Sequence, residues 1–227
     1  DTLQAIYTGF MPNPNKETDI EVTSDMLYRV INNRNPLIEH LLTRSINRIY
    51  LLDTVSPDTP PHGEAEIIYE ILRRQVRATL SHDIDLTPFI YKHSEYTIEK
   101  PLRVTDNNGE SETFNFRGKI DRIDRVTERY KSGSEWCELD LVRIVDYKTG
   151  GDKVQAKNVA DVFSGDYRTK AFVQLMLYCQ AYADEIKDKY SGPIQPVIYP
   201  ILQSMKADRN FGLLKWSKPA GTPLPPE

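Results

Sequence analysis

The chain has 227 residues, 39% of them hydrophobic and 27% charged. That composition allows one generous domain, or a main domain with an attached part, and excludes a disordered or fibrous polypeptide. The net charge of −4 gives no overall attraction for a polyanion, so any nucleic-acid contact has to come from a local basic patch. No apolar run is long enough to cross a bilayer and no signal peptide is recognisable. The two cysteines, Cys137 and Cys179, are too few for a disulfide framework, a four-cysteine zinc site or an iron–sulfur cluster. A reducing, cytoplasmic setting without membrane association is expected. The start at Asp1 and the proline-rich stretch 218–227 are expected of a piece of a longer polypeptide.

In chain order, Val22-Thr23-Ser24-Asp25 offers a helix cap before Met26, Leu27, Val30 and Ile31. Pro36 interrupts before Leu37, Ile38, Leu41 and Leu42 resume helical spacing, which predicts two short helices. Residues 56–63, with three prolines, read as a linker, and His62 as a loop residue. Ile67, Ile68, Ile71, Leu72 and Val76 then form the apolar stripe of a longer helix. From about His93 the pattern changes to strands parted by Asp106-Asn107-Asn108-Gly109 and Lys131-Ser132-Gly133-Ser134, a three-stranded antiparallel meander. Helical spacing returns over 167–189 with a core stripe of Phe172, Leu175, Cys179, Tyr182 and Ile186. A last strand covers 196–203, where Pro200 argues for an edge or a bulge. The elements predict an α/β fold with one sheet flanked by helices. The expected parts are an N-terminal helical flank and linker (1–62), a core (63–210) and a proline-rich tail (211–227). Trp136, Trp216 and Met176 are expected to be packing residues.

The chemistry concentrates on two strands. Alternation over 114–123 puts Phe116, Gly118 and Ile120 on one face and Arg117, Lys119 and Asp121 on the other. The strand 139–148 places Val142, Ile144, Asp146 and Lys148 on a common face, and its apolar run is expected to be central in the sheet. Two carboxylates from neighbouring strands can hold one hard divalent cation. An adjacent lysine can position or deprotonate the attacking water. By spacing alone, Asp-x-Lys reads equally well as a strand-end ion pair.

Gly118-Lys119-Ile120-Asp121-Arg122-Ile123-Asp124, then Ile144-Val145-Asp146-Tyr147-Lys148-Thr149-Gly150, then Gln174-x-x-x-Tyr178 together resemble the RecB-type branch, AddB included, of the PD-(D/E)XK nuclease superfamily. The resemblance covers about 95–203. It implies a restriction-endonuclease-like core, a mixed central sheet with an antiparallel meander flanked by helices. Asp121 and Asp146 are implied to be metal ligands, with the carbonyl of Tyr147 as a third. Lys148 is implied to act on the attacking water or the scissile phosphate, and Gln174 and Tyr178 to line the cleft as further catalytic residues. The implied cofactor is Mg²⁺ or Mn²⁺. Asp124 is expected to be structural, paired with Arg122 or Arg125, while Lys119, Arg122, Lys153, Arg168 and Lys170 form the candidate DNA-binding patch.

The pattern departs from the family in two places. RecB-type members carry a histidine about four residues after a glycine on the helix before the meander, and here Gly63 is followed by Ile67 at that position. Glu66 and Glu70 are the candidate substitutes as metal ligands, against their reading as a solvated acidic face paired with Arg73, Arg74 and Arg77. AddB-type members also hold an iron–sulfur cluster through four cysteines, which this chain cannot do. The expectation is a Mg²⁺- or Mn²⁺-dependent deoxyribonuclease acting on DNA in repair or recombination, with exonuclease favoured over endonuclease. It would be the C-terminal part of a helicase–nuclease or work with a helicase subunit. The alternative is a catalytically degenerate module that binds DNA or organises a larger complex.

Overall fold

The computed structural model describes residues 2–10, 19–32, 34–150, 155–156, 158–201, 212–213 and 215–216. The chain divides into two compact units, Asp1–Lys92 with Ile201–Asn210, and His93–Pro200 with Phe211–Glu227.

The first unit is helical. It holds α1 (Thr2–Gly9), α2 (Ser24–Ile31), α3 (Leu37–Ile49) and α4 (Glu64–Asp85), with a short strand β1 (Ile20–Val22). Neither α1 nor β1 is anticipated by the apolar spacing. The predicted cap of α2 is present, with the Thr23 hydroxyl accepting the N–H of Met26. Pro36 precedes α3 as expected, since it can start a helix but not continue one. The Arg77 guanidinium on α4 donates to the Ile31 carbonyl at 2.7 Å and to Glu39 at 2.8 Å, which ties α2, α3 and α4 together. The proline-rich linker is held in place. The buried Asn47 amide donates to the carbonyls of Ser56, Pro57 and Thr59, all within 3.0 Å.

The predicted stripe of α4 is only half right. Its buried residues include Ala65, Val76, Thr79, Leu80 and Asp83, whereas Ile67 is 63% and Ile71 45% exposed. At about 3.6 residues per turn, Ile67 and Ile71 lie one position off the stripe through Ile68 and Leu72, about 100° around the helix.

The second unit carries the meander. Strand β2 (Phe89–Thr105) enters from the first unit, where it pairs with β1 from Val22↔Phe89 to Ile20↔Tyr91. It is followed by β3 (Ser111–Ser132) and β4 (Glu135–Lys148). The turns fall at the predicted places, with Gly109 and Gly133 both at positive φ. After β4 come the short strand β5 (Gln155–Ala156) and α5 (Val159–Val162). Then follow α6 (Lys170–Ile186), β6 (Ile194–Pro200), β7 (Gly212–Leu213) and β8 (Lys215–Trp216).

In this unit the sheet runs β2-β3-β4-β6-β7. β4 is antiparallel to β3 and parallel to β6, so α6 serves as the crossover that a parallel pair requires. This is the mixed sheet with flanking helices of a restriction-endonuclease-like α/β fold. Among the described residues, Val197 and Ile198 of β6 pair with β7 as well as with β4; Pro200 is the last residue of β6, opposite Lys148. Strands β7 and β8 occupy positions expected to be a tail, and β8 pairs with β5 in a separate two-stranded sheet.

One face of the main sheet packs under α6. Ile98, Ile120, Ile123, Val142, Ile144 and Ile198 form a cluster with Ala171, Leu175, Tyr178, Ala181 and Tyr182. Of the predicted stripe of α6, Leu175, Cys179, Tyr182 and Ile186 pack here with Tyr178 added, whereas Phe172 is buried in a separate cluster with Ala156 and Val162. Met176, expected in the core, is 38% exposed, because it lies off that stripe. Trp136 is 72% exposed, opposite Lys131 near the hairpin tip and beyond the helix-covered residues. The side chain of Trp216 lies outside the described residues.

Candidate active site

Pairing between β3 and β4 runs from the hairpin turn to Arg122↔Val145 and stops there. Ile120 and Ile123 both belong to the cluster under α6, although strict alternation would put residues three apart on opposite faces. One residue is therefore out of step at Asp121–Arg122, as in a β-bulge. The expected strict alternation through Asp121 does not hold. At this break the Asp121 carboxylate replaces a main-chain acceptor, and its Oδ2 takes the N–H of Tyr147 at 2.7 Å.

β4 keeps its alternation. Asp146 and Lys148 follow Val142 and Ile144 onto the α6 side, and Asp146 is buried. The Lys148 Nζ lies 2.7 Å from Asp146 Oδ2 and donates to Gln174 Oε1 at 2.8 Å. Gln174 Nε2 in turn donates to the Tyr178 hydroxyl at 2.9 Å. Gln174 and Tyr178 stand one turn apart on α6, so a single helix face delivers both. The structure thus joins Asp146, Lys148, Gln174 and Tyr178 in one run, an ion pair followed by two hydrogen bonds, with Asp121 beside them.

Tyr178 is positioned by what Gly118 lacks. A Cβ at Gly118 would stand 2.3 Å from Tyr178 Cε1, closer than carbon atoms can approach, so only glycine lets the ring lie over β3. Phe116 packs on the same ring, with centroids 5.9 Å apart.

Burial pushes the Asp121 carboxyl up to about 6. The Tyr147 N–H and the Lys148 ammonium oppose the rise, while the Asp146 and Glu95 carboxylates reinforce it. Glu95 is the residue that sequence reasoning passes over. It stands on β2 at φ 54, a left-handed conformation uncommon for a residue with a Cβ. There the strand's buried side changes from odd positions (Phe89, Tyr91) to an even one (Ile98). Its carboxylate pairs with the ammonium of Lys119. No sequence spacing signals such a break.

The expected basic patch is reduced. Arg122 is 1% exposed and paired with Asp124, so it has no surface to offer a phosphate; the expected Asp124–Arg122 pair is present, and Arg122 leaves the DNA-binding set. Lys119 is engaged by Glu95, and Arg168 by Asp166 at 2.9 Å. The two cations are about half exposed, and surface pairs of this kind hold their partners weakly. Lys170 is exposed at the start of α6. Lys153 lies outside the described residues. On α4, Glu70 bonds Arg73 at 3.1 Å while Glu66 is exposed.

The donor set fits a hard divalent cation. Two carboxylates come from adjacent strands, one of them made reluctant to ionise by burial and by the other's charge. A cation relieves that cost for both. Among the described residues no group of three or more histidine, cysteine or carboxylate side chains gathers to hold an ion. The remaining coordination positions fall to water, main-chain oxygen or substrate.

A family model of the PD-(D/E)XK nuclease superfamily matches residues 27–213, and the chain belongs to that superfamily. Its members generally hydrolyse phosphodiester bonds with divalent metals such as Mg²⁺. No individual curated protein matches the chain. No helix among the described residues is long and apolar enough to cross a membrane.

Proposed function

We propose that this protein is a Mg²⁺- or Mn²⁺-dependent deoxyribonuclease of the RecB type, with Asp121 and Asp146 as metal ligands and Lys148, Gln174 and Tyr178 completing the catalytic set. The observation that carries the reading is the run from Asp146, ion-paired with Lys148, through the hydrogen bonds of Lys148 to Gln174 and of Gln174 to Tyr178, beside a half-buried Asp121. A strand-end ion pair alone would need neither the amide nor the phenol.

When bound, the cation supplies positive charge against the scissile phosphate and lowers the pKa of a water. The Tyr147 N–H fixes the Asp121 carboxylate, and the Tyr147 carbonyl is the main-chain oxygen nearest in sequence to both Asp146 and Lys148. An ammonium has three N–H groups. Gln174 accepts one from Lys148 and Asp146 holds the ammonium by charge at 2.7 Å, which leaves an N–H for a phosphate oxygen or the attacking water. Gln174 keeps Lys148 from swinging onto Asp146 alone, and Tyr178 fixes which way the Gln174 amide faces. Lys119, Lys170 and Arg168 are the cations available to the DNA backbone, and Lys153 is a further candidate. Of the two α4 carboxylates, Glu66 is the open one. Exonuclease action, a role in repair or recombination, and attachment to a helicase belong to the same reading.

The test is cleavage of linear, circular and single-stranded DNA with Mg²⁺, Mn²⁺ or EDTA, for the parent and Asp146→Ala. Metal-dependent cleavage of linear DNA that Asp146→Ala abolishes is expected. DNA binding with no cleavage in either metal would replace this reading with that of a binding module.

A further inference from the structure

Behind the carboxylates, on the sheet face away from α6, lies a buried charge pair that the chemistry above does not use. Arg122 is 1% and Asp124 0% exposed. The Arg122 Nε donates to both Asp124 oxygens at 2.9 Å, and its Nη2 approaches Oδ2 at 2.8 Å. The outer Nη1 donates to the phenol oxygen of Tyr147 at 3.1 Å. The Tyr147 ring also meets the fully buried Tyr199 edge-on, with centroids 5.4 Å apart.

Burying two charges removes hydration from both, and well-packed apolar residues of similar volume commonly serve stability as well or better. A pair of this kind is therefore weak evidence for stability and better evidence for fixed geometry. What it fixes is Tyr147, whose main-chain N–H holds Asp121 at 2.7 Å and whose neighbours in sequence are Asp146 and Lys148.

The geometry points to Arg122 as a positioning residue: clamped by Asp124, it locks the Tyr147 side chain and so sets where the Tyr147 peptide presents its N–H to Asp121. A planar guanidinium can do this because its fork satisfies a carboxylate with one edge and a phenol with another nitrogen. A lysine offers a point charge without that geometry. The inference rests on Asp121 and Asp146 being metal ligands.

The test measures Mn²⁺ affinity by calorimetry on the whole chain, with thermal unfolding in parallel. Tyr147→Phe removes the phenol and keeps the ring on Tyr199. It is expected to weaken Mn²⁺ binding about tenfold, at the lower end of what loss of a residue supporting a ligand does. Arg122→Met with Asp124→Leu replaces the pair by apolar side chains. It is expected to keep the parent's melting temperature within a few degrees and to lose Mn²⁺ affinity by a similar factor. A merely structural pair would move the melting temperature and leave the affinity alone. Asp146→Ala, expected to abolish binding, separates the two readings. If it abolishes Mn²⁺ binding while both Tyr147→Phe and the apolar pair keep the parent's affinity, the positioning role is wrong and the site stands. If Asp146→Ala itself binds Mn²⁺ like the parent, the site and the positioning role fall together.

Discussion

Replacing Asp121 with asparagine tests whether the site is strained before any ion binds. The carboxyl is raised from 3.8 to about 6, by burial first, with the Tyr147 N–H pulling against it. In the unfolded chain it titrates at its ordinary value, about 3.9. Between those two values the native state keeps a proton that the unfolded state has released, so stability falls as pH rises through that window. Below the unfolded value there is no penalty, and above about pH 6 it is complete. A rise of that size corresponds to at most about 3 kcal/mol. The amide oxygen of an asparagine in its place would still accept the Tyr147 N–H without carrying a charge.

The assay is urea or thermal unfolding in EDTA from pH 4 to 8. Asp121→Asn is expected to match the parent near pH 4. Above pH 6 it should exceed the parent by about 1–3 kcal/mol, at about 2–4 °C per kcal/mol for a protein of this size. Adding Mn²⁺ closes the gap, and reverses the order wherever the variant's advantage is below about 2.7 kcal/mol. The parent gains about 2.7 kcal/mol at a hundred times its Kd, and the variant gains little. Parallel stability curves for parent and variant across the whole pH range in EDTA would refute the strained-carboxylate argument.

Three further outcomes are expected. Lys148→Ala should lower cleavage by about a hundredfold or more while Mn²⁺ binding by calorimetry survives, because the ammonium stabilises charge without ligating the ion; cleavage within a fewfold of the parent would reduce Lys148 to an ion-pair partner. Gly118→Ala would put a carbon 2.3 Å from Tyr178 Cε1, displacing the ring by about 1 Å, and a misplacement of that size can cost about a hundredfold in rate. A loss of cleavage with Mn²⁺ binding intact is the expected sign, and unchanged kcat would show that Tyr178 does not position Gln174. Glu70→Gln should leave Mn²⁺ affinity within about twofold, since its carboxylate accepts from Arg73; a tenfold loss would place Glu70 in the site.

The readable parts of the sequence are those governed by local rules. Turns at Asn108-Gly109 and Ser132-Gly133 need the conformations glycine allows, so the meander is visible. The apolar run of β4 is visible because both faces of that strand are buried. The α6 stripe follows from helical periodicity; spacing sets Gln174 and Tyr178 one above the other, and their site role comes from the resemblance. What escapes depends on contacts between distant residues. Nothing local distinguishes Ile67 from Ile68, since either stripe satisfies the same spacing. The steps out of register at Glu95 and at Asp121–Arg122 arise from pairing with neighbouring strands. Each such step moves every later side chain to the other face, which is why Arg122, set by strict alternation on the Ile120 face, lies buried on the opposite one.

The charges around the site suggest why this arrangement suits a phosphodiester. Asp121, Asp146 and Lys148 together leave one negative charge when all are ionised, and the flanking Glu95–Lys119 pair adds none. Burial first, and then the Asp146 charge, already raise the Asp121 carboxyl, so the set is poised to take up positive charge. A divalent cation converts one negative charge into one positive, which matches the single negative charge of a DNA phosphate. A monovalent ion would only neutralise the set and leave nothing to attract the substrate. A second divalent ion would need further carboxylates that do not gather among the described residues. The charge count therefore favours one bound dication per site over two, and calorimetric titration with Mn²⁺ should give a stoichiometry near one, falling to zero in Asp146→Ala; a stoichiometry near two in the parent would overturn the count.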